Sequence, residues 1–277
     1  MKGDENKSKI ALITSEGGLS CAYSVGVILS LIENYNFTHP DIVIGSSGST
    51  GTLAYYVSGQ YASIKNIWEN LLSTNKFVSY FRINKIIDID YLIDTVFGKQ
   101  DVLDTDAVNK SKIDLYIGAT DVSTGLPFYF SNRTNDDIFE ALRASSAMPM
   151  VYRKKVKIKD SSYIDGAISA NISENISKAK QLGATKIIVI DTVNHNFASN
   201  FPLKIYSLFC NKNLSGSIKQ YFNSNYNNQL NENILVIKPS KKIPVSSLDN
   251  KREHLLEAIK LGYEDTLKNN HIAPFII

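Results

Sequence analysis

At 277 residues, the chain is long enough for one domain with a sizeable core, or at most two. With 43% hydrophobic and 21% charged residues it has the balance of an ordinary globular protein, not of a disordered or fibrous one. A formal net charge of +3 is too small to argue for a nucleic-acid partner.

The two cysteines, Cys21 and Cys210, lack C-x-x-C pairing, so there is no zinc signature. So few cysteines suit a reducing compartment. Residues 1–9 are polar and charged, and the apolar run at 10–13 is too short for a signal peptide or a membrane span. The expectation is a cytoplasmic protein that meets a membrane only from its surface.

In chain order, residues 9–14 (KIALIT) predict a short buried strand ended by the turn Glu16-Gly17-Gly18. Residues 22–32 predict a helix. Residues 41–44 (DIVI) predict a second strand, which breaks at Gly45-Ser46-Ser47-Gly48 and leads into a helix over 50–57. Two successive strand–glycine turn–helix units indicate an α/β fold with a mostly parallel sheet. Further strands are expected at 115–119, 186–190 and 234–237, and helices at 136–144 and 251–267. The last of these carries Leu255, Leu256, Ile259 and Tyr263 on one face.

Residues 153–159 read as a strand of period two. Arg153, Lys155, Lys157 and Lys159 share one face, and Val156 and Ile158 point the other way. That basic face is either a solvated edge that blocks sheet-to-sheet association or a patch for anionic membrane head groups. Residues 197–233, rich in Asn, Ser and aromatics, are the least regular part, a lid or irregular surface.

A serine hydroxyl becomes a nucleophile when a sharp turn exposes it, a base touches it and donors await the oxyanion. A strand–G-x-S-x-G–helix segment supplies such a turn. Gly45-Ser46-Ser47-Gly48-Ser49 fits it, with Ser47 central and Ser49 in place of the last glycine. The plain alternative is an ordinary Gly/Ser turn.

Glu16-Gly17-Gly18-Leu19, between strand and helix, lets backbone N–H groups turn toward an anion. Gly48 is a further donor candidate. A phosphate-binding reading competes, but neither G-x-x-x-x-G-K-[ST] nor G-x-G-x-x-G is present here. Among the four histidines, His39, His195, His254 and His271, only His195 follows a strand as a late base would. A poorly solvated carboxylate can serve instead. Asp165, in Tyr163-Ile164-Asp165-Gly166-Ala167, is that candidate, with an ordinary D-G turn as its alternative.

Together these residues resemble the patatin-like phospholipases, specifically the bacterial patatin-like proteins. The family's G-G-G-x-R-G, followed by A-x-x-x-G-V, matches Glu16 to Cys21 followed by Ala22 to Val27. The elbow matches at Gly45 to Ser49. The D-G-[GA] aspartate falls on Asp165-Gly166-Ala167, with Asn171 after it. Ala119-Thr120-Asp121 with Thr124-Gly125, and Arg143-Ala144-Ser145-Ser146-Ala147-Met148-Pro149, match lesser landmarks. Ile237-Lys238-Pro239 and Leu261-Gly262-Tyr263 are similar to the tail of the bacterial members.

The resemblance implies a three-layer α/β/α sandwich and one acyl hydrolase domain over 9–268, after a polar tail at 1–8. It implies a Ser47–Asp165 dyad, oxyanion donors at Gly17, Gly18 and Gly48, and no metal or cofactor. The implied substrate is a lipid or small ester, cleaved as by a phospholipase, lysophospholipase or esterase, with no nucleic acid and with peripheral contact to anionic membrane. The competing class is a lipid-binding or regulatory protein that keeps the fold without turnover. A His195-based α/β-hydrolase is a third. Glu16, Ser20, Cys21 and Ser49 depart from the family pattern. A carboxylate at Glu16 opposes an oxyanion unless it points away.

Overall fold

The computed structural model describes residues 8–82, 85–192 and 201–276. β1 (Ile10–Thr14) leads through the turn at Gly17 into α1 (Ala22–Tyr35), and β2 (Ile42–Ser46) through the elbow into α2 (Thr50–Val57) and α3 (Tyr61–Asn66). Helical turns at Ile67–Leu71 and Tyr91–Gln100 and the short α4 (Thr105–Lys110) precede β3 (Asp114–Asp121). β4 (Pro127–Ser131), α5 (Ile138–Ser145), β5 (Val156–Ile158), β6 (Ser161–Asp165) and α6 (Ile172–Gln181) follow. The chain then runs through β7 (Lys186–Ile190), α7 (Phe201–Phe209), α8 (Lys212–Phe222), β8 (Ile234–Ile237), α9 (Arg252–Leu267) and α10 (Ile272–Ile276).

Among the described residues the strands form one sheet in the order β5-β6-β3-β2-β1-β7-β8, with β4 also on β3. The five central strands β3, β2, β1, β7 and β8 are parallel, and β4, β5 and β6 add antiparallel pairs. Apolar residues on successive strand positions face opposite sides because side chains alternate across a sheet. Ala11, Ile13, Ile42, Ile44, Ile187 and Val189 pack with Ile172 and Ile176 of α6. Leu12, Val43, Leu115, Ile188 and Ile190 belong to the larger core with α1, α2, α5 and α9. Burial on both faces explains why these strands are continuous apolar runs, and it makes the fold a three-layer α/β/α sandwich. α1 and α9 cross closely at Gly26 and Gly262, where a Cβ would fall within 1.9 and 2.1 Å of the opposing carbonyls.

Two segments differ from their sequence pattern. Residues 153–159 form a strand only over Val156–Ile158, because Lys154 turns to an ion pair with Asp90 (2.8 Å) and Lys159 adopts φ 54° to enter the next turn. The buried Val156 and exposed Lys157 on this strand at the end of the sheet, with the exposed Lys155 just before it, keep the expected alternation. The stretch expected as a lid or irregular surface carries the two helices α7 and α8 within its described part. Asn211, the α8 N-cap, accepts a hydrogen bond from the Leu214 N–H (2.9 Å), so the Asn-rich composition includes capping as well as loops.

Candidate active site

The register of β3 brings the two halves of the site together. Gly118 pairs with Ser46 at the end of β2, and the next residue, Ala119, pairs with Asp165 at the end of β6. Gly166 makes that approach feasible, since a Cβ there would fall 2.0 Å from the Gly118 carbonyl oxygen. Ser47 stands at the turn from β2 to α2 with φ 58°, a left-handed conformation that a non-glycine residue rarely adopts. Its Oγ donates a hydrogen bond to Asp165 Oδ2 at 2.9 Å. Thr50 Oγ1 caps the Ser47 carbonyl at 2.8 Å, and Ser49 Oγ donates to the Ser46 carbonyl at 3.0 Å. Serine therefore fits the position where the elbow pattern has its last glycine.

Asp165 is only 1% exposed. Burial raises its carboxyl to about 7, against the lowering effect of hydrogen bonds from the Ala167 N–H (2.8 Å) and from Ser47. Its backbone is held as firmly: the N–H donates to the Ala147 carbonyl (3.1 Å), and Thr120 Oγ1 donates to its carbonyl oxygen (2.7 Å).

Ser145, at the end of α5, had no sequence-derived role. Its Oγ accepts from the Ser47 N–H (2.9 Å) and donates to the Gly118 carbonyl (2.6 Å), fastening the elbow to β3. The stretch Arg143 to Pro149 thus clamps both Ser47 and Asp165. Arg143 ties it to Asp90 (2.7 Å) and Asp94 (2.5 Å), at and beside the helical stretch that walls the cavity described below. The pattern was visible in the sequence, but nothing in the sequence specified these contacts.

Gly17 and Gly18 begin the helical turn that runs into α1. A Cβ on Gly48 would lie 2.6 Å from the Gly18 carbonyl oxygen, so the elbow and this loop touch directly. Both segments open helices at one place, where first-turn N–H groups lack intrahelical acceptors.

Glu16 is 6% exposed, and its Oε2 has no hydrogen-bond partner among the described residues. Burial above all raises it to about 8, with smaller contributions from the negative charges of Asp191 and Asp165 and an opposing one from its own N–H. Its burial thus favours the neutral, protonated form, which brings no negative charge to the loop.

Ser47, Asp165, Gly17, Gly18 and Gly48 all line a cavity of about 570 Å³, within the range of roughly 300–1,000 Å³ usual for small-ligand sites. Its walls include Trp68, Leu72, Phe77, Ile89, Ile93 and Phe97. Asn171 also lines it and caps α6 by accepting from the Glu174 N–H (3.3 Å). No described histidine lines the cavity: His39 and His271 are exposed, and His254 bonds Asp249. His195 lies outside the described residues. Among the described residues no group of three or more His, Cys, Asp or Glu side chains is placed to hold a metal ion, and no helix is long and apolar enough to cross a membrane.

Comparison with known proteins identifies the family of the chain. The sequence profile described as patatin-like phospholipase matches residues 15–176. The uncharacterized protein YjjU of Escherichia coli strain K12 is 27% identical over 190 residues, covering 67% of this chain and 52% of its own length. The chain thus spans about half the length of this curated relative. The crystal structure of VipD from Legionella pneumophila superposes with a TM-score of 0.56 at 14% identity, over 94% of this chain and 66% of that one. That of the type III effector ExoU aligns at 0.40 and 13% identity, over 94% and 53%.

Proposed function

Because the chain belongs to the patatin-like phospholipase family, we propose that it is a lipid acyl hydrolase that cleaves carboxylic esters with Ser47 as nucleophile and Asp165 as base. The observation that carries this reading is the 2.9 Å hydrogen bond from Ser47 Oγ to the buried Asp165 carboxylate, on the wall of a largely apolar cavity. Ser47 Oγ attacks the ester carbonyl while its proton passes to Asp165. The N–H groups of Gly17, Gly18 and Gly48 hold the oxyanion. The alcohol leaves with the proton from Asp165, giving an acyl-enzyme. Water then attacks this ester, again giving its proton to Asp165, and the fatty acid departs as Ser47 recovers its hydrogen. A carboxyl at about 7 suits both directions of transfer.

The hydrolase domain is taken to run over 9–268. β7 and β8 complete the sheet beyond the matched region, and α9 covers α1. A cytoplasmic setting with peripheral membrane contact is part of the same proposal. The test combines a fluorophosphonate probe with a panel of phospholipids, lysophospholipids and short-chain esters. Labelling of the wild type, loss of labelling in Ser47→Ala, and a fall in turnover of roughly 10³-fold or more in both Ser47→Ala and Asp165→Asn are expected, since such groups act as a unit. An unlabelled wild-type protein that still binds lipid would replace the enzyme with a lipid-binding protein. Near-normal hydrolysis by either variant would refute the dyad.

A further inference from the structure

α7 is apolar on two sides. Inward, Leu203 lines the cavity and packs with Ile164, Ile168, Leu214 and Ile218. Outward, Ile205, Leu208 and Phe209 follow the i, i+3, i+4 spacing of a single helix face and are 36%, 77% and 83% exposed. A surface helix normally presents polar residues there, and clustered exposed apolar side chains mark an interaction site.

The charges around this face indicate what covers it. From residue 201 to 222 the sequence contains Lys204, Lys212 and Lys219 and no Asp or Glu. Lys204 is exposed, with its ammonium 5.4 Å from the Phe222 ring centroid. Beyond the C-terminal end of α7, the exposed Lys155 just before the edge strand β5 weakly opposes the burial that raises the Cys210 thiol. An apolar helix face rimmed by lysines is the pattern of a helix lying in the interface of an anionic bilayer. Tyr221 and Phe222 of the neighbouring α8 also line the cavity, so docking at this face would bring the cavity close to the lipid.

We propose that Ile205, Leu208 and Phe209 on α7, flanked by Lys155, Lys204 and Lys212, dock the protein on an anionic lipid surface that supplies its substrate. The supply of substrate rests on the acyl hydrolase reading above. Docking itself is tested separately, with the full chain carrying Ser47→Ala so that vesicles are not consumed. Sedimentation with phosphatidylcholine vesicles, with and without phosphatidylglycerol, should show binding that favours the anionic vesicles and weakens with salt. Adding Ile205→Ser, Leu208→Ser and Phe209→Ser should lower the partition coefficient by at least about tenfold. Lys155→Gln with Lys212→Gln should remove most of the preference for anionic vesicles.

In the otherwise wild-type chain, the same triple serine variant should hydrolyse a soluble short-chain ester at the wild-type rate, showing that fold and site are intact. Vesicle binding without any esterase activity would sink the hydrolase reading and leave docking standing. Equal vesicle binding by the triple variant would overturn the proposal. So would a wild-type dimer in analytical ultracentrifugation that ignores vesicles and is lost in that variant, since the face would then join two copies of the chain.

Discussion

Replacing Glu16 by glutamine should make stability less dependent on pH, in a direction fixed by the burial of its carboxyl. The group is raised from 4.5 to about 8, chiefly by desolvation. Below about pH 4.5 it is protonated in both folded and unfolded chains, and its titration contributes nothing. As pH rises from there to about 8 the unfolded chain releases the proton while the folded one keeps it, so the folded state loses relative stability. At about 1.4 kcal/mol per pH unit the loss is roughly 3 kcal/mol at pH 7 and approaches about 5 kcal/mol at pH 8 and above. Glutamine has the same shape and does not titrate. Its buried amide adds a constant penalty of about 1–3 kcal/mol if unpaired, so the diagnostic quantity is the slope of the difference and not its offset.

Urea unfolding of both proteins at intervals between about pH 5 and 8.5 measures it. The glutamine variant should gain on the wild type steadily across that range, and Asp165, common to both, should largely cancel. Activity gives an independent reading: above about pH 8 the wild type should lose turnover as Glu16 ionises beside the oxyanion donors, and the variant should not. A stability difference that stays flat from pH 5 to 8 would refute the neutral buried carboxyl.

Asp165, raised from 3.8 to about 7 by burial, must lose its proton to act as base, so kcat/KM should climb as pH rises through about 7. A pH–rate profile on a soluble ester checks this, and a flat acid limb would exclude Asp165 as base. By the same sign argument as for Glu16, Asp165→Asn should become more stable relative to wild type between about pH 4 and 7, as urea titrations at both limits would register. Ser145→Ala leaves the buried Ser47 N–H and Gly118 carbonyl without their shared partner. It should cost about 1–3 kcal/mol of stability and lower kcat more than KM, measurable by unfolding and steady-state kinetics.

The parallel core of the sheet was legible because β1, β2 and β7 are buried on both faces and read as short apolar runs, with glycine turns after β1 and β2. β4 and β6 were harder to see. Pro127 to Ser131 and Ser161 to Asp165 mix polar and aromatic residues, and their pairing with β3 is settled by non-local register. The elbow and the D-G-A segment were recognisable as local patterns. That they meet depends on two neighbouring residues of β3, Gly118 and Ala119, which align one with Ser46 and the other with Asp165. No local pattern encodes that coincidence. The cavity wall was invisible for a similar reason: Trp68, Phe77, Ile89 and Phe97 belong to short helical turns and loops without a sustained period.

Three of the four departures from the family pattern lie together at the proposed oxyanion loop, and each has a local physical answer. Ser20 stands where the family carries a basic residue, and its hydroxyl donates to the Gly17 carbonyl at 2.6 Å. Cys21 is fully buried, its thiol pushed well up by desolvation first and then by the nearby Glu16, and its Sγ faces the Ser15 carbonyl at 3.7 Å. Thr192, just past the end of β7, donates from Oγ1 to the Glu16 carbonyl at 3.0 Å. The carbonyl oxygens of Ser15, Glu16 and Gly17 are thus satisfied by neutral donors. The charge that a carboxylate at Glu16 would bring is disfavoured by its own burial. A loop built this way can present N–H groups to an anion without the family's basic side chain, provided Glu16 stays protonated, which makes neutrality at that position a condition of the proposed oxyanion hole.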